Sequence, residues 1–368
     1  MKSFAITLFT SIAVFIAGFI IVNQIYVKKK YEISIVPNLD TTVAERDTMD
    51  KGFSKGWCYC HRSHPERWFD IHTHILKLKQ VDQKGVPLDM VKCAEQAFTS
   101  WQNQFKEFDI VGSVVLDGSP ERMYLFDAAE KTKGMMVFAW VGYDKPDAQL
   151  LEKLVKEHGC KGVKMISRPA FNAGVDYRVY DSEKWHELYA KAGELGIPVL
   201  WHVVQRTGAA PYAYGEDTRS TWTKLNYTNW DVLKMFEGIL EKHPNTIFIG
   251  AHQMFMGAKE LDRLMKKYPN FFVDTSAGWR LKWGDHLTNK EILELRPFFE
   301  EHADRILFGT DFVYNIREKE NVPFWSLLSM YSFQNFLIQL NLTQRSLDKI
   351  AWQNAYALLK IEKPDILD

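Results

Sequence analysis

Cysteine is scarce in this chain, with four in 368 residues. That excludes a small disulfide scaffold, which needs several bridges to replace a core. Cys58 and Cys60 are separated by a single residue, a spacing that strains a mutual disulfide. A net charge is missing as well. Lys and Arg number 46 and Asp and Glu number 46, so there is no basic excess of the kind a general nucleic-acid binder carries. No Gly-x-Gly-x-x-Gly follows the first predicted strand, and no Gly-x-x-x-x-Gly-Lys-Ser/Thr occurs. The usual backbone cradles for dinucleotides and nucleoside triphosphates are therefore absent. Aromatic residues are not scarce: at 14% they can fill a large core, which excludes a disordered or low-complexity chain.

The N-terminus carries a long apolar run. Ser3 to Val27 contain no charge, and Phe4 to Val22 are almost wholly apolar. About 20 apolar residues suffice to cross a bilayer as a helix. The run continues past Ala17 and Gly18 without a clear cleavage site, which predicts a retained single-pass anchor over residues 1–30 rather than a cleaved signal segment. Lys28, Lys29 and Lys30 follow the run and only Lys2 precedes it. That asymmetry favours a cytoplasmic main domain, with a periplasmic or other extracytoplasmic side as the alternative. Residues 31–66 read as a connector and 67–368 as the main domain.

From residue 67 onward, short apolar runs alternate with helical periodicity. Strands are predicted at Arg67–His72, Ile110–Leu116, Met135–Val141, Gly162–Ile166, Ile197–His202, Thr246–Ala251, Phe271–Asp274 and Arg305–Gly309. A helix follows each. Near-continuous apolar strands are the mark of buried parallel sheet, and repeated strand–helix units predict right-handed crossovers. Eight units in about 300 residues predict an α/β fold, a (β/α)₈ TIM barrel, here preceded by the N-terminal transmembrane helix.

The predicted strand ends carry the chemistry. The first ends in Asp70-Ile71-His72-Thr73-His74. Two imidazoles two residues apart project to one side of a strand. The fifth ends in His202, the sixth in Gly250-Ala251-His252 and the eighth in Gly309-Thr310-Asp311. All four are C-terminal strand ends, where barrel enzymes keep their active sites. Three neutral imidazoles and a carboxylate suit one divalent ion such as Zn²⁺, and the remaining histidine can serve as acid or base. Lys164, Arg168, Trp201 and Arg280 lie at or just after strand ends and are candidate substrate-binding residues.

These motifs resemble the amidohydrolase superfamily, in its amidohydrolase-related branch that includes aminocarboxymuconate-semialdehyde decarboxylase. The resemblance rests on Phe69 to His74, Gly162-Val163-Lys164, Pro198 to His202, Gly250-Ala251-His252, Val273 to Ala277, Arg305 to Asp311 and Asn354-Ala355. It implies that His72, His74, His202 and Asp311 hold the metal, with His252 and Asp311 as the catalytic acid/base groups. Lys164 matches the position that is carboxylated in two-metal members, although one ion is the expectation for this branch. The implied function is a metal-dependent hydrolase, in which metal-bound water attacks an amide, lactone or ester carbonyl. The alternative is a non-oxidative decarboxylase of a carboxylated aromatic or enol acid; a membrane-tethered scaffold without catalysis is a third reading. The implied partners are a small-molecule substrate and the membrane, with no nucleic acid, and a homo-oligomer is compatible with the pattern.

Overall fold

A computed structural model of the chain describes residues 63–75, 88–204, 227–277, 287–314 and 324–362. The anchor expectation, the connector expectation up to residue 62, and Arg280 lie outside the described residues. The expected single-pass membrane location is corrected: no helix among the described residues is long and apolar enough to cross a membrane.

Ser63–Asp368 forms one compact unit. Its strands are β1 (Trp68–Ile75), β2 (Ile110–Gly118), β3 (Met135–Trp140), β4 (Val163–Ile166), β5 (Val199–His202), β6 (Phe248–Gly250), β7 (Phe271–Asp274), β8 (Ile306–Leu307) and β9 (Phe312–Tyr314). Every pairing is parallel, in the order β8-β7-β6-β5-β4-β3-β2-β1-β9. The sheet is a curled α/β barrel. Its pleat sorts the side chains. Phe69, Ile71, Val114, Leu116, Met136, Phe138, Leu200, Ile249 and Leu307 meet in one buried cluster, joined by Ala355 and Leu359 from the C-terminal helix.

The predicted eighth strand, Arg305–Gly309, is shortened to β8, and a further strand, β9, follows beyond its expected end. Among the described residues β8 pairs with β7 and β9 pairs with β1. Across the break, the Ile71 N–H donates to the Phe308 carbonyl at 2.9 Å, and the Asp311 N–H donates to the His72 carbonyl at 2.8 Å. Two local features cause the break. Asp311 has φ +62°, which no strand tolerates. At Gly309 a Cβ would lie 3.1 Å from the Cβ of His72, so any larger residue would push the chain away from the first strand by a few tenths of an ångström.

The helices start and stop where their end residues dictate. Asp147 caps α1 (Ala148–His158) by accepting from the Leu150 N–H at 2.9 Å, and Gly159 ends it at φ +64°. Thr228 and Asp231 form a reciprocal capping box on α2 (Asn229–Lys242), as do Thr288 and Glu291 on α3 (Asn289–Glu301). Such caps satisfy the orphan N–H groups of the first turn. Each helix turns the chain back so that the next strand begins at the same end of the barrel, and all strand C-termini gather at one mouth.

Candidate active site

The mouth is built from β1 outward. His72 and His74 leave the end of β1 on the same side, their rings 5.4 Å apart. Asp311 stands opposite, in the break between β8 and β9. Its Oδ1 lies 3.4 Å from His72 Nε2 and 3.3 Å from His74 Nε2. His72, His74 and Asp311 thus present three ligand atoms to a common point.

The far side of each imidazole is anchored. His72 Nδ1 lies 2.6 Å from Asp274 Oδ2. A carboxylate can only accept there, so His72 carries its proton on Nδ1 and points the Nε2 lone pair into the mouth. His74 Nδ1 lies 3.1 Å from Asp117 Oδ2, which also accepts from the Ile75 N–H at 2.8 Å. Carboxylates behind histidines fix the tautomer and raise ligand basicity in metal sites.

Asp274 organises the sixth-strand station too. Its Oδ1 accepts from the His252 N–H at 2.8 Å and the Ser276 N–H at 3.0 Å. The Ser276 hydroxyl donates to Asp274 Oδ1 at 2.5 Å and lies 2.8 Å from His252 Nδ1. His252 is packed 5.0 Å from the His72 ring and 4.6 Å from the His202 ring. His202 Nε2 is buried and has no hydrogen-bond partner among the described residues. Such an atom is costly unless a ligand satisfies it.

Lys164, fully buried, places its Nζ 3.1 Å from His72 Nε2. Burial lowers its pKa to about 8, although Asp311, Asp274 and Asp117 favour its charged form. Burial and the neighbouring Lys164 charge hold His72 well below the usual imidazole range. Burial, then the charges of His252 and Lys164, does the same to His202. Burial and the His72 charge bring His252 down to about 4. Burial disfavours ionised Asp311, yet the His74 hydrogen bond and the three histidines outweigh it and keep that acid far below the usual carboxylate range. His74 goes the other way: burial lowers it, but its hydrogen bonds to Asp117 and Asp311 outweigh burial and raise it. Neutral His72 and His202 beside an ionised Asp311 are the protonation states metal ligation needs.

The backbone here is strained. His252, Gln253, Met254 and Phe255 run at φ +59°, +50°, +55° and +52°, and Ala277 and Asp311 are also positive. A left-handed conformation costs a non-glycine residue about 1–2 kcal/mol. Strain concentrated at the ends of β6, β7 and the eighth station marks a functional region.

The structure gathers His72, His74, Lys164, His202, His252 and Asp311 at one mouth, as expected from sequence. Arg168 is exposed at the start of the short helix after β4 (Arg168–Asn172). Trp201 is corrected. It is fully buried, donates to Ser167 Oγ at 2.9 Å and packs on Tyr180 and Phe236. On β5, Leu200 and His202 face inward, so Trp201 must face the helices. Sequence reasoning missed Asp117, and it gave no role to Asp274 and Ser276, although both lie in the Val273–Ala277 motif. The available signal was a carboxylate at the end of an apolar strand, the same signal that singled out Asp311.

The amidohydrolase family model matches residues 68–361. The chain belongs to the amidohydrolase family. This amidohydrolase covers 80% of its length in an alignment with an uncharacterised TIM-barrel protein from Bordetella bronchiseptica, spanning 98% of that chain at 14% identity and TM-score 0.52. A dihydroxybenzoic acid decarboxylase from Polaromonas sp. JS666, with bound manganese and the inhibitor 2-nitroresorcinol, aligns over 81% of this chain and 98% of its own at 17% identity and TM-score 0.49. Dihydroorotase from Campylobacter jejuni aligns over 83% and 87% at 13% identity and TM-score 0.48. At these identities the similarity concerns the fold. No curated protein matches the sequence. The amidohydrolase assignment places this chain in a family of metal-dependent enzymes, and the convergent donors at its mouth are suited to a metal.

Proposed function

We propose that this amidohydrolase is a metal-dependent hydrolase of amide, lactone or ester bonds, with His72, His74, His202 and Asp311 holding one divalent ion. The observation that carries the reading is the convergence of His72 Nε2, His74 Nε2 and Asp311 Oδ1, with Asp274 and Asp117 fixing the two imidazoles from behind. The unpartnered His202 Nε2 supports a fourth ligand position. An imidazole-rich set with one carboxylate favours Zn²⁺. A bound ion there supplies Lewis-acid polarisation of a carbonyl and acidifies water.

The chain's own groups carry the rest. Asp311, held ionised, accepts a proton from the attacking water. His252, whose Nδ1 proton is held by the Ser276 hydroxyl and carbonyl oxygens, presents the Nε2 lone pair, which takes up a proton during the reaction and passes it to the leaving group. Lys164 presents a buried amine to an acidic or carbonyl group of the substrate, with Arg168 at the outer edge.

The test is a panel of lactones, N-acyl compounds, esters and aromatic acids, offered to the full-length protein loaded with Zn²⁺. Release of a carboxylic acid by hydrolysis, reduced about 10²- to 10⁴-fold in Asp311→Asn, supports the proposal. CO₂ release from an aromatic acid, with no hydrolysis in any class, replaces it with decarboxylation.

A further inference from the structure

Asp70 lies two residues before His72 in β1 and is fully buried. A buried carboxylate is costly unless donors reach its oxygens. The donors that reach Asp70 come from the backbone around both His72 and Asp311. On the His72 side, the register of β1 against β2 slips. Asp70 stands opposite Ser113 and Thr73 opposite Val115, so three steps along β1 match two along β2. A slip of this kind re-aims a side chain and disrupts the local ladder. The His72 N–H, inside the slip, donates to Asp70 Oδ1 at 3.0 Å.

The same carboxylate reaches across to the chain between β8 and β9. Oδ1 also accepts from the Thr310 N–H at 3.1 Å, and Oδ2 accepts from the Thr310 hydroxyl at 2.5 Å. The Thr310 hydroxyl oxygen in turn accepts from the Phe312 N–H at 3.2 Å. Thr310 is itself buried. Asp311 is thus bracketed on both sides, while its own N–H is tied to the His72 carbonyl at 2.8 Å. Its left-handed backbone, φ +62°, is unfavourable for a residue with a side chain and persists only where the surroundings over-determine it. Asp70 and Thr310 supply that constraint.

We propose that Asp70 is a positioning residue: through the His72 N–H and the Thr310 side chain it holds the backbones of His72 and Asp311 in one register, and so fixes the spacing of the imidazole and the carboxylate that share the ion. The assignment rests on the mouth being a metal site. A plain pin between strands is the competing role, and the two differ in their effect on bound metal.

Full-length wild type, Thr310→Val, Thr310→Ser and Asp70→Asn are stripped of metal and titrated with Zn²⁺ by calorimetry, and the visible spectrum of each protein loaded with Co²⁺ is recorded. Thr310→Val deletes the hydroxyl at nearly constant shape. Asp70→Asn keeps an oxygen for the His72 and Thr310 N–H groups but turns an amide N–H toward the Thr310 hydroxyl. Each weakens Zn²⁺ binding about 10- to 100-fold, the loss usual for groups standing behind metal ligands. Each also changes the Co²⁺ bands, which report coordination geometry. Thr310→Ser keeps the hydroxyl and retains wild-type affinity and bands. The double variant Asp70→Asn/Thr310→Val loses no more than the worse single variant, because the two side chains act as one clamp. A lower melting temperature with unchanged Zn²⁺ affinity and Co²⁺ bands marks a plain pin and overturns the proposal, as does failure of both Thr310→Val and Asp70→Asn to fold. Tight binding by the wild type and by every variant overturns this assignment alone. A wild type that takes up neither ion overturns the metal-site reading together with it.

Discussion

Replacing Asp274 with asparagine separates its two duties. Asp274→Asn retains an oxygen for the His252 and Ser276 N–H groups, which lie 2.8 and 3.0 Å from Oδ1. It puts an amide N–H where Oδ2 now accepts from His72 Nδ1 at 2.6 Å. Donor then faces donor, and His72 relieves the clash by moving its proton to Nε2. That tautomer has no lone pair for a metal. A hydrogen bond to a charged group contributes about 1.5–3 kcal/mol. At about 1.4 kcal/mol per decade, Zn²⁺ affinity falls roughly 10- to 150-fold, in line with the loss common to partners standing behind metal ligands. Alanine is the wrong choice, because it orphans two buried N–H groups at about 1–3 kcal/mol each, a large share of a domain's stability. The assay is calorimetric titration of metal-stripped wild type and Asp274→Asn with Zn²⁺, with thermal melts confirming the fold. Equal affinities in two folded proteins refute the argument that Asp274 sets the His72 tautomer.

Other outcomes follow from the same geometry. Gly118→Ala brings a Cβ to 2.6 Å from Val137 Cγ1 and 2.7 Å from the Phe138 carbonyl oxygen; overpacking of this kind costs about 1–3 kcal/mol, read as a lower urea midpoint with an unchanged slope. Cys160 is buried, its thiol pushed up to about 11 by desolvation, so it resists iodoacetamide at pH 8 in the folded protein, as mass spectrometry of the alkylated peptides will show. His243 is held near 4, first by burial and then by the charge of His186, whose Nδ1 lies 2.8 Å from its Nε2. A depressed imidazole adds stability that is present above its unfolded value of about 6.5 and is lost as pH falls toward 4. Melting temperature should drop across that window, and His243→Asn should flatten the drop.

Much of this was legible in the sequence, for identifiable reasons. Near-continuous apolar runs ending in His72, His202 and Asp274 report buried parallel strands directly, and Gly159 and Gly196 mark helix ends because they take φ +64° and +63°. The six clustered site residues were legible because barrel topology forces strand ends together. The shortened eighth strand and the further strand β9 were not, since they depend on the left-handed Asp311 and on the tight approach of Gly309 to His72. Trp201 was misplaced by attending to its position at a strand end and not to the alternation that turns it outward. Asp117 and Asp274 escaped because their partners lie 43 and 202 residues away in sequence, and only the fold shows which imidazole each one holds.

The barrel mouth is proposed to hold one catalytic ion on histidines and Asp311. Elemental analysis of metal-replete protein tests it most directly: about one divalent ion per chain in the wild type, and loss of that ion in His72→Ala and in Asp311→Asn. A wild type that binds no ion, or variants that keep it in full, would contradict the account.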